Sequence, residues 1–362
     1  MLFVAPYLFA LAICIAAPLK VHAFGQADGQ LRVMTYNVNE GTDFIEVKQA
    51  KTLPQFLVAV GQTITQVRAT NPPERMPAVA TQILSANPTL VSLQEVDRWY
   101  TGTFDPVTQQ CGAMTLEFDM VQELLDALAA QGGHYQVAVQ KQEIAFPPTP
   151  GLILPSTFIC VAVVDYNMIL ARTDLDPGLF QWTNPQSGQF VNIVYLSTPV
   201  GPVPVPRVWE SVDVQFQRRA FRFVGTHLES DDVTIRELQG DELRAGPANT
   251  LQPVIVAMDS NAQASPQPQD ATYINFITAG YGDAWAEVFP NADGFTCCQA
   301  ELDNNPVSEL YQRIDLILTL GDIKPKTIAL YGADATDRTV NGLWPSDHAG
   351  VAAWLKLAAG DD

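Results

Sequence analysis

Apolar and polar residues alternate over residues 31–38, the two-residue period of a half-buried strand. Apolar residues then recur at helical spacing over 44–69. Pro72 and Pro73 interrupt that pattern, and it resumes over 76–85. A continuous apolar run over 89–96 ends in Gln94-Glu95 and predicts a buried strand. Residues 119–130 predict an amphipathic helix stopped by Gly132-Gly133. Strands are expected at 135–139, 166–171, 190–196, 209–216 and 220–225, with a proline-rich loop over 146–156. Pro199, Pro202, Pro204 and Pro206 mark an exposed connection or edge. Residues 236–245 predict a helix, 253–258 a strand, 262–270 a loop, and 273–279 and 283–288 two short helices. Strands at 313–318 and 351–357 follow. Long segments at 101–118, 141–163, 181–209, 262–272 and 290–312 carry no substrate-related pattern. Several strands follow one another without strict alternation with helices. This points to an α/β protein of mixed sheets with helices outside them. No repeat or long linker divides the chain.

Composition adds three constraints. A hydrophobic content of 47% against 16% charged residues supports one large packed core. The formal net charge of −19 repels polyanions unless cations or a local basic groove intervene, so there is no footprint of tight nucleic-acid binding. Residues 2–17 are almost wholly apolar, and Val21-His22-Ala23 follows as a small-residue cleavage site. Residues 1–23 therefore predict a signal peptide, 24–362 the mature domain, and a secreted or periplasmic location. No basic residue precedes the apolar run, which keeps an uncleaved anchor as the alternative. The run is nevertheless short of the roughly 20 residues of a membrane span.

Cleavage after Ala23 removes Cys14 and leaves Cys111, Cys160, Cys297 and Cys298, an even set that suggests disulfides. Three connectivities are open. One of them pairs Cys111 with Cys160 and leaves the adjacent Cys297 and Cys298. The spacing does not suit a zinc site.

Candidate chemistry recurs at similar places. Asn37, Gln94-Glu95, Thr226-His227, Asp259-Ser260-Asn261 and Asp347-His348 each flank an apolar strand. Strand ends gathered at one sheet edge can converge on a cleft. The mature chain has three histidines, His134, His227 and His348, and two of them fall in these segments.

Six segments occur in order: Thr35-Tyr36-Asn37-Val38, Leu93-Gln94-Glu95-Val96, Gly225-Thr226-His227-Leu228, Asp259-Ser260-Asn261, Arg313-Ile314-Asp315 and Ser346-Asp347-His348. Their order and wide spacing resemble the endonuclease/exonuclease/phosphatase superfamily over residues 31–357. The resemblance implies a four-layer α/β sandwich, two mixed sheets face to face and flanked by helices. It also implies a metal-dependent phosphoesterase. Glu95 then looks like the principal metal ligand, with Asn37 and Asp347 beside it. Mg²⁺ is the expected ion, with Mn²⁺ or Ca²⁺ as alternatives. Asp259 resembles the residue that orients or deprotonates the attacking water, and Asn261 resembles its partner. His227 and His348 resemble donors to phosphoryl oxygens. Asp315 is placed like the acid that orients His348, or else pairs with Arg313. Asn167 and Arg207 are the candidate substrate-binding residues.

Asn39 stands where the abasic-site enzymes of the superfamily carry an acid, which argues against that activity. The run Gly294-Phe295-Thr296-Cys297-Cys298-Gln299 is similar to exported bacterial members. A small or lipid-linked phosphoester, sphingomyelinase-like or inositol-phosphatase-like, fits the acidic surface best. A membrane surface is a partner if the substrate is a phospholipid. Nucleic acid is the less favoured substrate, a catalytically silent binding protein is the alternative class, and no protein partner is implied.

Overall fold

The computed structural model describes residues 30–357, so the expected signal peptide lies outside the described residues. In chain order, β1 is Leu31–Asn37, α1 Ile45–Gln49, α2 Leu53–Thr70, α3 Pro72–Ala86, β2 Leu90–Gln94, β3 Arg98–Asp105 and β4 Gln110–Asp119. Next come α4 Met120–Ala130, β5 Tyr135–Ile153, β6 Thr157–Arg172, β7 Phe180–Gln189, β8 Val194–Thr198, β9 Gly201–Val205, β10 Val208–Phe216 and β11 Arg219–His227. The rest is α5 Val233–Ala245, β12 Val254–Asp259, α6 Ala271–Thr278, β13 Gly282–Asp283, α7 Ala284–Val288, β14 Asp315–Leu320, β15 Ile323–Tyr331 and β16 Gly350–Leu357.

Two mixed sheets form the centre. One runs β15-β16-β1-β2-β6-β3-β4, with β5 also paired to β6, and the other runs β13-β14-β12-β11-β10-β7. Each contains one parallel pair, β1 with β2 and β11 with β12. The period of two along β1 decides the layering. Leu31 and Val33 pack with Ile169, Phe223 and Ile255 between the sheets, while Met34 and Tyr36 face Met76, Val79 and Leu124 of α3 and α4. On the far face, Val224 and Val256 pack against Leu243 of α5 and Phe276 of α6. The result is the four-layer sandwich.

Some expectations are corrected. The helical pattern over 44–69 is two helices, broken before the Thr52 capping box that starts α2. Pro72 and Pro73 start α3 rather than interrupting it, because a first-turn N–H has no helical partner to lose. The loop expected over 146–156 is largely the continuation of β5, where register shifts on either side of Phe146 absorb the prolines. The strand expected over 190–196 does not begin at Phe190. The amides of Val191 and Asn192 donate to the Glu242 carboxylate at 2.7 and 3.0 Å, and that removes them from a ladder. Pro202 and Pro204 fall in β9, which pairs only with β8 as a separate two-stranded hairpin. The strand pairs over 98–119 and the edge strand β15 gave no sequence signal, being largely half-exposed.

Cys111 and Cys160 form a disulfide between β4 and β6, 49 residues apart, and Cys297 and Cys298 are joined as an adjacent pair. Closing a loop of that size restricts the unfolded chain. Replacing Cys111 and Cys160 together by alanine is expected to lower stability by about 2–4 kcal/mol, read from a urea midpoint. An unchanged midpoint would show that the native sheet or residual denatured structure already holds these strands together.

Candidate active site

The ends of six strands meet at one edge of the sandwich and surround a cleft of roughly 390 Å³. Asn37 closes β1, Glu95 follows β2, His227 closes β11 and Asp259 closes β12. Asp315 opens β14, and Asp347 and His348 precede β16. Register aligns them, since His227 pairs with Asp259 and Asp259 with Asp315. Three residues just past strand ends, Asn39, Glu95 and Asn261, adopt positive φ values of 60°, 58° and 48°. Left-handed backbone is disfavoured for side chains other than glycine. Its concentration here marks a site whose surroundings hold the chain in place.

Asn37 is fully buried and its amide nitrogen donates to Glu95 Oε1 at 2.7 Å and to Asp259 Oδ2 at 3.0 Å. Its oxygen accepts from the Asn39 amide, so in this arrangement Asn37 clamps the two acids and presents no oxygen to the cleft. Glu95 also accepts from the Glu40 amide at 3.0 Å. Burial, with Asp347 nearby, pushes the Glu95 carboxyl up to about 7. Asp259 uses one oxygen to accept from the Asn261 amide at 2.9 Å, an Asx-turn, while the other accepts from Asn37 and lies 3.5 Å from His227 Nε2 at the cleft wall. Burial and Asp315 push it up to about 6, against His348 and the Asn37 hydrogen bond.

The two histidines are set to opposite states. His348 Nδ1 lies 2.8 Å from Asp315 Oδ2, and Nε2 lies 3.9 Å from Asp347 Oδ2. Burial opposes a charged ring, but Asp315, Asp347 and Asp259 outweigh it and hold the imidazole well above its usual pKa. His227 Nδ1 meets Arg207 Nη1 at 3.0 Å, and Nε2 faces the Asn261 amide at 2.9 Å. Burial and the positive Arg207 push His227 well below its usual pKa, so it is neutral. Both ring nitrogens thus meet donors, the guanidinium at Nδ1 and the Asn261 amide nitrogen at Nε2, and Nε2 lies 3.5 Å from Asp259 Oδ2.

The structure therefore brings together Asn37, Glu95, His227, Asp259, Asn261, Asp315, Asp347 and His348. It also decides between the two partners open to Asp315. Arg313 pairs with Asp283 at 2.7 Å, leaving Asp315 to His348. Arg207 lines the cleft, ion-paired with Glu143 beneath His227. Asn167 is not in the cleft lining. It is fully buried one step behind and donates to Glu143 at 2.9 Å.

Sequence reasoning missed Glu143, Asp165 and Glu40. Burial raises all three carboxyls, and the ligand atoms of Glu40, Asp97 and Asp165 lie within 4.8 Å of one another. Single acids inside apolar strands gave no periodic signal, although an acid such as Asp165 within the apolar run of β6 could have been flagged. A second acidic group, Glu95 with His227 and Asp259, offers ligand atoms within the same distance.

No family model matches the sequence, and no curated protein matches it. Solved structures do. An endonuclease/exonuclease/phosphatase family protein of Bacteroides thetaiotaomicron superposes with a TM-score of 0.55 at 16% identity, covering 91% of this chain and 98% of that one. A mannosyl-6-phosphatase of the same organism gives 0.51 at 17% identity, over 90% of this chain and 99% of that one. An endonuclease/exonuclease/phosphatase of Bacteroides vulgatus gives 0.52 at 14% identity, over 91% and 99%. With 90–91% of this chain matched, the protein has the fold of the endonuclease/exonuclease/phosphatase proteins.

Proposed function

We propose that this chain is an exported, metal-dependent phosphoesterase that hydrolyses a phosphoester by in-line attack of an activated water. The observation that carries the reading is the convergence of Glu95, Asp259, Asn261, His227, Asp347 and the Asp315–His348 pair on one cleft, from five separate segments. A fold of this kind hosts several activities, so the site and not the fold supports the reaction. The mannosyl-6-phosphatase of this fold acts on a sugar phosphate.

The donor set suits a hard divalent ion. Asp347 lies close enough to Glu95 to disfavour its charge, and a cation held there would relieve that repulsion. Glu95 and Asp347 would hold the ion, with Asn37 beside them, and Mg²⁺ is the first choice over Mn²⁺ or Ca²⁺. When bound, it would neutralise charge on the phosphoryl oxygens. The chain supplies the remaining steps. Asp259, at the cleft wall, accepts the proton of the attacking water as that water's oxygen bonds to phosphorus. The bond from phosphorus to the leaving oxygen breaks, and that oxygen takes up a proton. Asn261 holds the attacking water in line. His348 Nε2 donates to a non-bridging oxygen as an imidazolium, and the neutral His227 ring flanks the same cleft.

A small or lipid-linked phosphoester is the favoured substrate, because the net charge of −19 opposes a polyanion. Hydrolysis of bis-p-nitrophenyl phosphate beside the monoester, with Mg²⁺, Mn²⁺ or EDTA, tests the reading. Turnover is expected with metal and is expected to vanish with EDTA, returning when metal is restored. Efficient nicking of plasmid DNA would transfer the substrate to nucleic acid. Metal binding without turnover of any phosphoester, by a folded protein, would replace the enzyme with a binding protein.

Glu95→Ala gives a further check. It removes the carboxylate at the centre of the ligand set and is expected to weaken Mg²⁺ binding by at least tenfold in titration calorimetry. Affinity unchanged from wild type would move the ion to another acidic group, such as Glu40, Asp97 and Asp165.

A further inference from the structure

We propose that an apolar groove beside the cleft binds an uncharged alkyl or aryl substituent carried by the phosphoester. The inference rests on the phosphoesterase reading and adds the class of substrate. The groove has a volume of roughly 150 Å³ and is walled by Phe56, Val60, Trp99, Val161 and Val163. Phe44, Val47, Phe146 and Leu196 line both the groove and the catalytic cleft, so the two spaces adjoin across these side chains. The hairpin of β8 and β9 serves both. Val194 and Val205 face the cleft, while Thr198, Val200 and Val203 face the groove.

The chemistry of the lining selects the occupant. Residues 194–205 contain no charged side chain, and the polar side chains of the groove are the hydroxyls of Thr63, Thr149 and Thr198. Nothing there would pair with a charged headgroup or replace the many hydrogen bonds of a sugar. The cleft differs sharply, with Glu40, Glu95, Asp165, Asp259 and Asp347 at its wall. A ligand spanning both is amphiphilic, its phosphate at the strand ends and its apolar group in the groove.

The walls are fixed in place. The Phe44 ring stacks on Trp99 with centroids 6.0 Å apart and meets Phe146 edge-on at 5.7 Å. Trp99 Nε1 donates to the Glu40 carbonyl at 3.0 Å, and the Glu40 amide donates to Glu95, so the groove wall is tied to the reacting centre. A cavity near 150 Å³ lined by aliphatic and aromatic side chains accepts a benzene-sized group. Chain length should therefore count up to about six carbons.

The test compares p-nitrophenyl phosphodiesters whose second substituent runs from methyl through butyl and hexyl to decyl, with metal present. Each buried methylene is expected to raise kcat/KM about fourfold, until the gain levels off near six carbons. Val203→Asp, which puts a charge in the groove, is expected to flatten the hexyl-to-methyl ratio. Val203→Phe, which fills it, is expected to move the optimum to shorter chains. These ratios are taken within one preparation, so a loss of folded protein does not alter them. Titration calorimetry with n-hexyl phosphate and methyl phosphate provides a readout that needs no turnover, and tighter binding of the hexyl compound is expected. Equal turnover and equal binding at every length would overturn the groove assignment, and so would a length preference that both Val203 variants leave intact. Tight hexyl phosphate binding without hydrolysis of any ester would keep the groove and overturn the phosphoesterase reading.

Discussion

His348→Ala is expected to lower kcat on bis-p-nitrophenyl phosphate by about 10²- to 10³-fold, the usual loss when a donor to a developing negative charge is removed. The size follows from how the ring is held. Nδ1 is fixed on Asp315 at 2.8 Å, so Nε2 is directed into the cleft. The surrounding carboxylates keep the ring protonated although it is buried. A preorganised imidazolium costs little reorganisation during the reaction, so its loss should appear in kcat more than in KM.

Asp315→Asn separates this role from mere packing. The amide keeps the shape but removes the charge that favours the imidazolium. Since the folded pKa of His348 is raised, its protonated form persists through neutral pH and is lost only as pH rises through that value. Removing the Asp315 charge lowers the value, so the alkaline limb of the kcat profile should move to lower pH while the acidic limb stays in place. Asp315 is in this sense a positioning residue. A variant that loses activity equally at every pH would assign Asp315 to the fold alone.

The reacting groups were legible in the sequence because they end strands. A continuous apolar run such as 89–96 closing on Gln94-Glu95, or 253–258 closing on Asp259, shows both the element and the polar group at its tip. Strand ends can converge when a sheet forms, and the resemblance carried by the order of the six segments joined them into one expected cleft. The side chains that support those groups were not legible. Glu143 lies in β5, in a stretch whose period is disturbed by bulges, and its partner Arg207 follows a run of prolines. Only contact between β5 and the chain entering β10 reveals the pair. The left-handed backbone at Glu95 was equally hidden, since glutamate gives no local hint of it, whereas asparagine at 39 and 261 is a residue type that tolerates it. The apolar groove depends on β8 and β9, whose prolines signalled an edge but not what that edge covers.

Arg75→Met is expected to destabilise the protein by about 3–5 kcal/mol, as when one partner of a buried, hydrogen-bonded ion pair is removed. In the sequence Arg75 reads as an ordinary arginine near the start of a helix. In the structure it is fully buried, and its guanidinium donates to four carbonyls: Thr70 at 2.9 Å, Val38 at 2.8 Å, Asn39 at 2.8 Å and Pro345 at 3.0 Å. Asp303 lies 3.4 Å from its Nε and also accepts from Asn39. Burial raises the Asp303 carboxyl and Arg75 opposes that rise.

Methionine would fill much of the volume but leave buried carbonyls and a buried acid without their donor. The location gives the change a second consequence. Val38 and Asn39 follow Asn37, and Pro345 precedes Ser346, Asp347 and His348, so one side chain ties the segment after Asn37 to the segment that carries Asp347. Ser346 adds a weaker link, its hydroxyl donating to the Asn37 carbonyl at 2.8 Å. Arg75→Lys keeps the charge but not the planar fork, and it should restore only part of the stability. The expected order of urea midpoints is wild type, then lysine, then methionine, with Mg²⁺ affinity falling in the same order. A methionine variant with a wild-type midpoint would show that the carbonyls find other partners. A stability loss with unchanged Mg²⁺ affinity would show that the two segments hold their geometry without this tie.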